Sequence, residues 1–214
     1  VAIVGATGSG KTTLVNLITR FYDVTSGEVL VDGVNVKEYK QVDLREKISI
    51  ALQKSELFAG TIAENIAWGK PDASLDEIKL AADIAQASEF ILSKSDGFNE
   101  YVEEKGTSLS GGQKQRLSIA RAIVKKPEIL IFDDASSALD LITEANLYKA
   151  MRKHINDTTK IVRVVSGAAG SVRAARTAGN PISSGPDALS KNWRAPALQL
   201  LWDAAHRPTH TVPV

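Results

Sequence analysis

No cysteine occurs among the 214 residues. That excludes disulfides and thiol chemistry, and it fits the cytoplasm. Charge of one sign is also lacking: 26 Lys and Arg against 25 Asp and Glu leave a formal net charge of +1. No global basic field exists to draw the chain to nucleic acid. Long apolar runs are absent too; none reaches the ~18 residues that a membrane-spanning helix needs. The remaining composition, 43% hydrophobic and 24% charged, is ordinary for a globular protein with a substantial core.

What is present is more specific. Residues 5–12 read GATGSGKT, which fits the phosphate-binding pattern G-x-x-x-x-G-K-[ST] at every fixed position. Residues 1–4 are a short apolar run, as expected of a buried parallel strand. Residues 12–20 carry Leu14, Leu17 and Ile18 on one side of a helix. Glycines between strand and helix let backbone N–H groups close around phosphate oxygens at the positive end of the helix dipole. The cradle comprises Gly5, Thr7, Gly8, Ser9, Gly10, Lys11, Thr12 and Thr13. Lys11 is expected to reach the β- and γ-phosphates of ATP, and the Thr12 hydroxyl to ligate Mg²⁺. A glycine-rich turn that binds nothing would not need a lysine and a threonine at those two places.

Downstream, residues 27–36 alternate apolar and polar side chains around Asp32 and Gly33, a hairpin signal. Residues 44–52 lead through Ile48, Ile50 and Leu52 as a strand that ends at Gln53. Residues 71–123 show helical spacing, with Leu75, Ile78, Leu80, Ala81, Ile84 and Ala85, and with Asp72 or Ser74 available to cap the start. Residues 109–113 read LSGGQ. Ser110 can cap the helix that follows, and Gly111 and Gly112 leave backbone N–H groups uncovered for an anion. Ser-Gly-Gly as a plain flexible helix start is the alternative. Residues 129–133 are an apolar strand ending in the Asp133 carboxylate, placed to hold Mg²⁺ through water.

These motifs, in this order, resemble the ATP-binding domain of ABC transporters over residues 1–165. The resemblance implies an α/β fold: a P-loop NTPase (RecA-like) core with a mainly parallel sheet, a small antiparallel β region and a helical subdomain inserted at about residues 71–123. It implies that two such domains pack head to tail around two Mg-ATP. Ser110, Gly111, Gly112 and Gln113 of each would then cover the other's nucleotide. Asp140, in the stretch SALD, would cross the seam beside the partner's cradle; a solvated turn aspartate is the alternative. Gln53 would touch Mg²⁺ and the attacking water. Metal ligands would therefore be Thr12, Gln53 and Asp133, with Lys11, Gln53 and Asp134 as the catalytic set.

Residues 57–62 (LFAGTI) and Glu64, Asn65 and Ile66 resemble the exporter branch, and Tyr101 begins a partial match to its coupling loop. The implied function is the ATPase motor of an exporter, at the cytoplasmic face of a membrane, partnered by a transmembrane domain and a second ATPase domain. A soluble relative acting on DNA or ribosomes fits residues 57–62 and the missing basic surface less well. The family carries further strands and an adenine-stacking aromatic residue upstream. Their absence here gives the expectation of a fragment, with a transmembrane domain preceding it in the parent chain.

Two departures stand out. The family has glutamate after the Asp133 position, where it polarises the attacking water; this chain has Asp134. Aspartate is one methylene shorter, and a misplacement of about 1 Å costs on the order of 100-fold in rate. The family's switch histidine should follow the strand of residues 159–165, where Ser166 and Gly167 stand instead. Both losses together match the half of a heterodimeric exporter that mostly holds ATP. This regulatory reading is the alternative to the motor.

From Ser166 onward the character changes. Five of the seven prolines fall in residues 166–214, with 5 basic and 2 acidic residues against 21 and 23 before them. The family's closing strands are not recognisable there, and the expectation is an atypical tail: a divergent end, or a shifted reading frame. In the second case the missing histidine says nothing about degeneracy.

Overall fold

The computed structural model describes residues 1–53 and 56–165. The 166–214 tail lies outside them, as does the position of the switch histidine. The described residues form two compact units, one of residues 1–11 with those from Glu46 onward and one of residues 12–45.

The first unit is built on a four-stranded parallel sheet in the order β1–β8–β7–β4. Its strands are β1 (Ala2–Gly5), β4 (Ile48–Leu52), β7 (Ile129–Asp133) and β8 (Thr159–Val165). Strand β7 has a neighbour on each side, and all five of its residues are buried. A parallel strand covered on both faces reads as a continuous apolar run, and residues 129–132 do. Register sets the rest: Leu52 pairs with Asp133, Asp133 with Arg163, and Gly5 with Val165. The cradle, Gln53 and Asp133 thereby share the carboxyl edge of one sheet, where ligands of open α/β sheets bind.

Helices α3 (Ile62–Ala67), α4 (Leu75–Ile84), α5 (Ser88–Leu92), α6 (Gly111–Val124) and α7 (Leu141–His154) complete this unit. A two-stranded antiparallel ladder joins β5 (Gly60–Thr61) to β6 (Tyr101–Val102). Leu117, Ile119 and Ala120 of α6 are fully buried, as are Leu130, Ile131 and Phe132 of β7. Each large apolar side chain here contributes roughly 1.5–3 kcal/mol by leaving water. His154, the last residue of α7, is exposed.

Residues 71–123, expected to be helical, contain α4, α5 and nearly all of α6 as separate helices. The chain turns back at Gln86, Gly97, Lys105 and Gly106, all at positive φ between 55° and 62°, and β6 intervenes. Helix α4 starts where expected: Ser74 and Glu77 form a capping box, each side chain bonded to the other's backbone N–H. Glu77 also takes Lys126 and Lys70 at 2.6 and 2.9 Å. Lys126, Lys70 and the Ser74 N–H hold its carboxyl at about 2, against an ordinary 4.5. A depressed carboxyl stabilises fully above its unfolded value, so this contribution is complete above pH ~4.5 and fades as pH falls toward 2. Ser74→Ala should lower stability by about 1 kcal/mol in urea unfolding at pH 7. Glu77→Gln should flatten the fall in melting temperature between pH 4.5 and 2.

The second unit contains most of α1 (Lys11–Ile18), the hairpin β2 (Leu30–Val31) and β3 (Val34–Asn35), and most of α2 (Gln41–Lys47). Asp32 and Gly33 have φ of 52° and 78°, the two positive values that a tight hairpin turn requires. Residues 44–47, expected to open a strand, are the end of α2, and β4 begins at Ile48. Leu-Arg-Glu-Lys are good helix formers with no β-branched member. Only Leu44 among them is buried on the helix.

Candidate nucleotide site

The cradle starts where β1 ends. Gly8 and Gly10 both have φ of 81°, a region that a Cβ makes costly. At Gly5 the constraint is space, because a Cβ there would stand 2.6 Å from Ser9 Oγ. The loop is closed by the Ser9 N–H donating to Ala6 O at 3.2 Å. Lys11 is only 6% exposed, and its ammonium donates to Gly5 O at 2.7 Å, Ala6 O at 2.5 Å and Ser9 Oγ at 3.2 Å. A buried cation ringed by three oxygens from a glycine-rich turn fits a phosphate, whose oxygens can replace that ring. Thr12 and Thr13 follow as the next residues of α1.

Along the same sheet edge, the Gln53 side-chain amide donates to Asp134 Oδ2 at 3.1 Å. The Leu52–Asp133 register makes these two neighbours. Asp134 has φ of 55°, a left-handed conformation that aspartate tolerates better than most residues. The turn after it is fixed by the Ser137 N–H and Oγ, which both donate to Asp134 O. Gln53 and Asp134, both expected to lie beside the attacking water, are thus hydrogen-bonded neighbours.

Asp133 is buried, and its Oδ1 meets Arg163 Nε in an ion pair. Burial pushes the Asp133 carboxyl above its ordinary value; Arg163 pulls it down and Asp134 adds to the rise. Of the residues expected at Mg²⁺, Gln53 and Asp133 offer oxygen donors on this sheet edge, and Thr12 offers a hydroxyl by residue type. The charge does not fit, because the one buried carboxylate of the set already has a cation of its own. No group of three or more His, Cys, Asp or Glu able to hold a metal exists among the described residues.

The LSGGQ stretch folds as a capped helix start. Ser110 Oγ accepts from the Gln113 N–H while Gln113 Oε1 accepts from the Ser110 N–H. Gly111 has open space where a Cβ would go, and a Cβ on Gly112 would stand 3.2 Å from Ala138 O. Among the described residues no hydrogen bond or ion pair joins this turn to residues 5–11. Asp140 caps α7, accepting from the Ile142 and Thr143 N–H groups and from Thr143 Oγ1. Those bonds, led by the Thr143 hydroxyl, hold its carboxyl below the ordinary value.

Asn65, from the exporter-like stretch, and Arg121, outside the motifs, shape the neighbourhood. Asn65 bonds both the N–H and the C=O of Phe58, and Arg121 donates to Asn65 O, Asn65 Oδ1 and Glu56 O. The guanidinium also lies 5.2 Å from the Phe58 ring, which stacks on Trp68. This clamp fixes residues 56–61 to α6. Arg121 and Arg163 were not anticipated; Arg163 is the second cation, after Lys160, in the otherwise mostly apolar strand TKIVRVV.

Comparison with known proteins places these features in a family. The family model described as ABC transporter matches residues 1–137. YgaD of Bacillus subtilis (strain 168), provisionally named a multidrug export ATP-binding/permease protein, is 53% identical over 76% of this chain and 28% of its own length. ABC transporter B family member 21 of Arabidopsis thaliana is 50% identical over 76% of this chain and 13% of its own. A solved bacterial Atm1-family ABC exporter with ATP bound superposes with a TM-score of 0.74 at 43% identity, over 77% of this chain and 29% of that one. The chain therefore spans less than a third of the length of these relatives. With a phosphate cradle, a signature turn and a matching family model, the chain belongs to the ABC transporter family.

Proposed function

We propose that this chain is the ATP-binding part of an ABC exporter, which binds ATP through residues 5–13 and works with a transmembrane domain and a second ATP-binding domain. The observation that carries this reading is the buried Lys11 ammonium held by oxygens of its own glycine-rich loop. The names of the relatives support the ATP and the export, and an exporter's ATP-binding part would work at the cytoplasmic face of a membrane. In the assembled transporter, Ser110, Gly111, Gly112, Gln113 and Asp140 would cover the partner's nucleotide. ATP would hold the two domains together, and hydrolysis would let them part.

Within that reading, the geometry favours a site that holds ATP and turns it over slowly. Lys11 can release Gly5 and Ala6 and take phosphate oxygens instead. Asp134 spends one oxygen on Gln53, and its carboxylate sits one methylene nearer the backbone than a glutamate's. Binding needs no such reach, so affinity survives while turnover suffers. Phosphate release by the full chain with saturating ATP tests this. Slow release alongside tight binding is expected; brisk release by the chain alone would contradict slow turnover, and failure to bind ATP would contradict the nucleotide reading itself.

A further inference from the structure

Strand β8 lies between β1 and β7, a place where parallel strands carry apolar side chains on both faces. Its neighbours in sequence obey: Ile161 and Val162 are buried. Arg163 does not, yet its side chain is only 12% exposed, the same as that of Asp133 opposite it in register. A guanidinium remains charged at every working pH, and burying it is tolerated only beside an anion. Asp133 supplies that anion, and the two form the ion pair already described.

A divalent cation coming to Asp133 would therefore meet a carboxylate that is already neutralised. To bind, it would have to displace the guanidinium and leave it buried without its counter-ion, or share one carboxylate with a second positive group nearby. Both outcomes are unfavourable. We propose that Arg163 is a built-in counter-cation for Asp133, so that this chain binds nucleotide with little need for a divalent metal. The proposal rests on the nucleotide reading above and concerns only what holds the charge beside the phosphate site. It differs from an arrangement in which the same carboxylate stays free for Mg²⁺.

The test is equilibrium binding of a fluorescent ATP analogue, N-methylanthraniloyl-ATP, to the full chain, with excess EDTA and again with millimolar MgCl₂. The unaltered chain should show dissociation constants within about threefold of each other. In Arg163→Leu, which frees the carboxylate and suits the strand, removal of the metal should weaken binding at least about tenfold. Arg163→Lys keeps a cation and should keep the indifference to metal. A tenfold loss on chelation in the unaltered chain overturns the proposal, and that arm needs no variant to fold. Metal indifference in Arg163→Leu, or full metal dependence in Arg163→Lys, also overturns it. Binding of the analogue in neither medium fails at a different point and contradicts the nucleotide reading on which the proposal stands.

Discussion

Replacing Lys11 by alanine should weaken ATP binding by at least about 100-fold, read by equilibrium dialysis of the full chain. A hydrogen bond to a charged group is worth roughly 1.5–3 kcal/mol, and the ammonium is placed to make two such bonds to phosphate. The sum of about 3 kcal/mol or more corresponds to a factor of 100 or above. The same change should cost little stability. Lys11 bonds oxygens of its own loop, where Ala6 and Ser9 are exposed to water. Loss of affinity without loss of the fold separates a ligand-binding lysine from a structural one. An alanine variant that bound ATP as well as the parent would mean that the cradle is not the site.

The second large effect concerns rate. Asp134→Glu should raise ATP turnover by on the order of 100-fold, because the longer side chain restores about 1 Å of reach toward the water. Affinity should change little. The left-handed backbone at residue 134, φ 55°, is less comfortable for glutamate than for aspartate, so stability should fall by under about 1 kcal/mol. The contact between Gln53 and Asp134 sharpens the expectation. Gln53→Ala in the parent chain frees the Asp134 carboxylate but does not lengthen it, and should leave turnover low. If Asp134→Glu gives no gain, the short carboxylate is not what limits the site.

Much of the site was readable because phosphate binding depends on a few local residues. Backbone geometry fixed by Gly8 and Gly10, and a lysine one residue further on, are sequence-local facts. The same holds for the Asp32–Gly33 turn and for the capping boxes at Ser74 and Ser110, where Glu77 and Gln113 stand three residues downstream. The strand of residues 129–133 declares itself through an unbroken apolar run. Contacts that depend on strand register were not readable. Gln53 meets Asp134 and Asp133 meets Arg163 because β4, β7 and β8 lie side by side in one alignment, and no spacing along the chain announces that.

The breaks between the helices of residues 71–123 were not readable for a related reason. Gln86 and Lys105 adopt left-handed backbone conformations that non-glycine residues take only when their surroundings impose them. There the imposing contacts are long-range: the Arg116 guanidinium donates to Gln86 O, and the Lys105 N–H donates to Leu57 O. The clamp of Asn65 and Arg121 belongs to the same class. Its residues are 56 positions apart and meet only after α3 packs on α6.

Calorimetric titration of the full chain with ATP, ADP and AMP tests directly whether ATP is held by its outer phosphates in the loop of residues 5–11. One saturable site is expected for ATP, with competition by ADP and very weak binding of AMP, which lacks the phosphates that Lys11 would grip. No heat with ATP, or AMP binding as tightly as ATP, would contradict it.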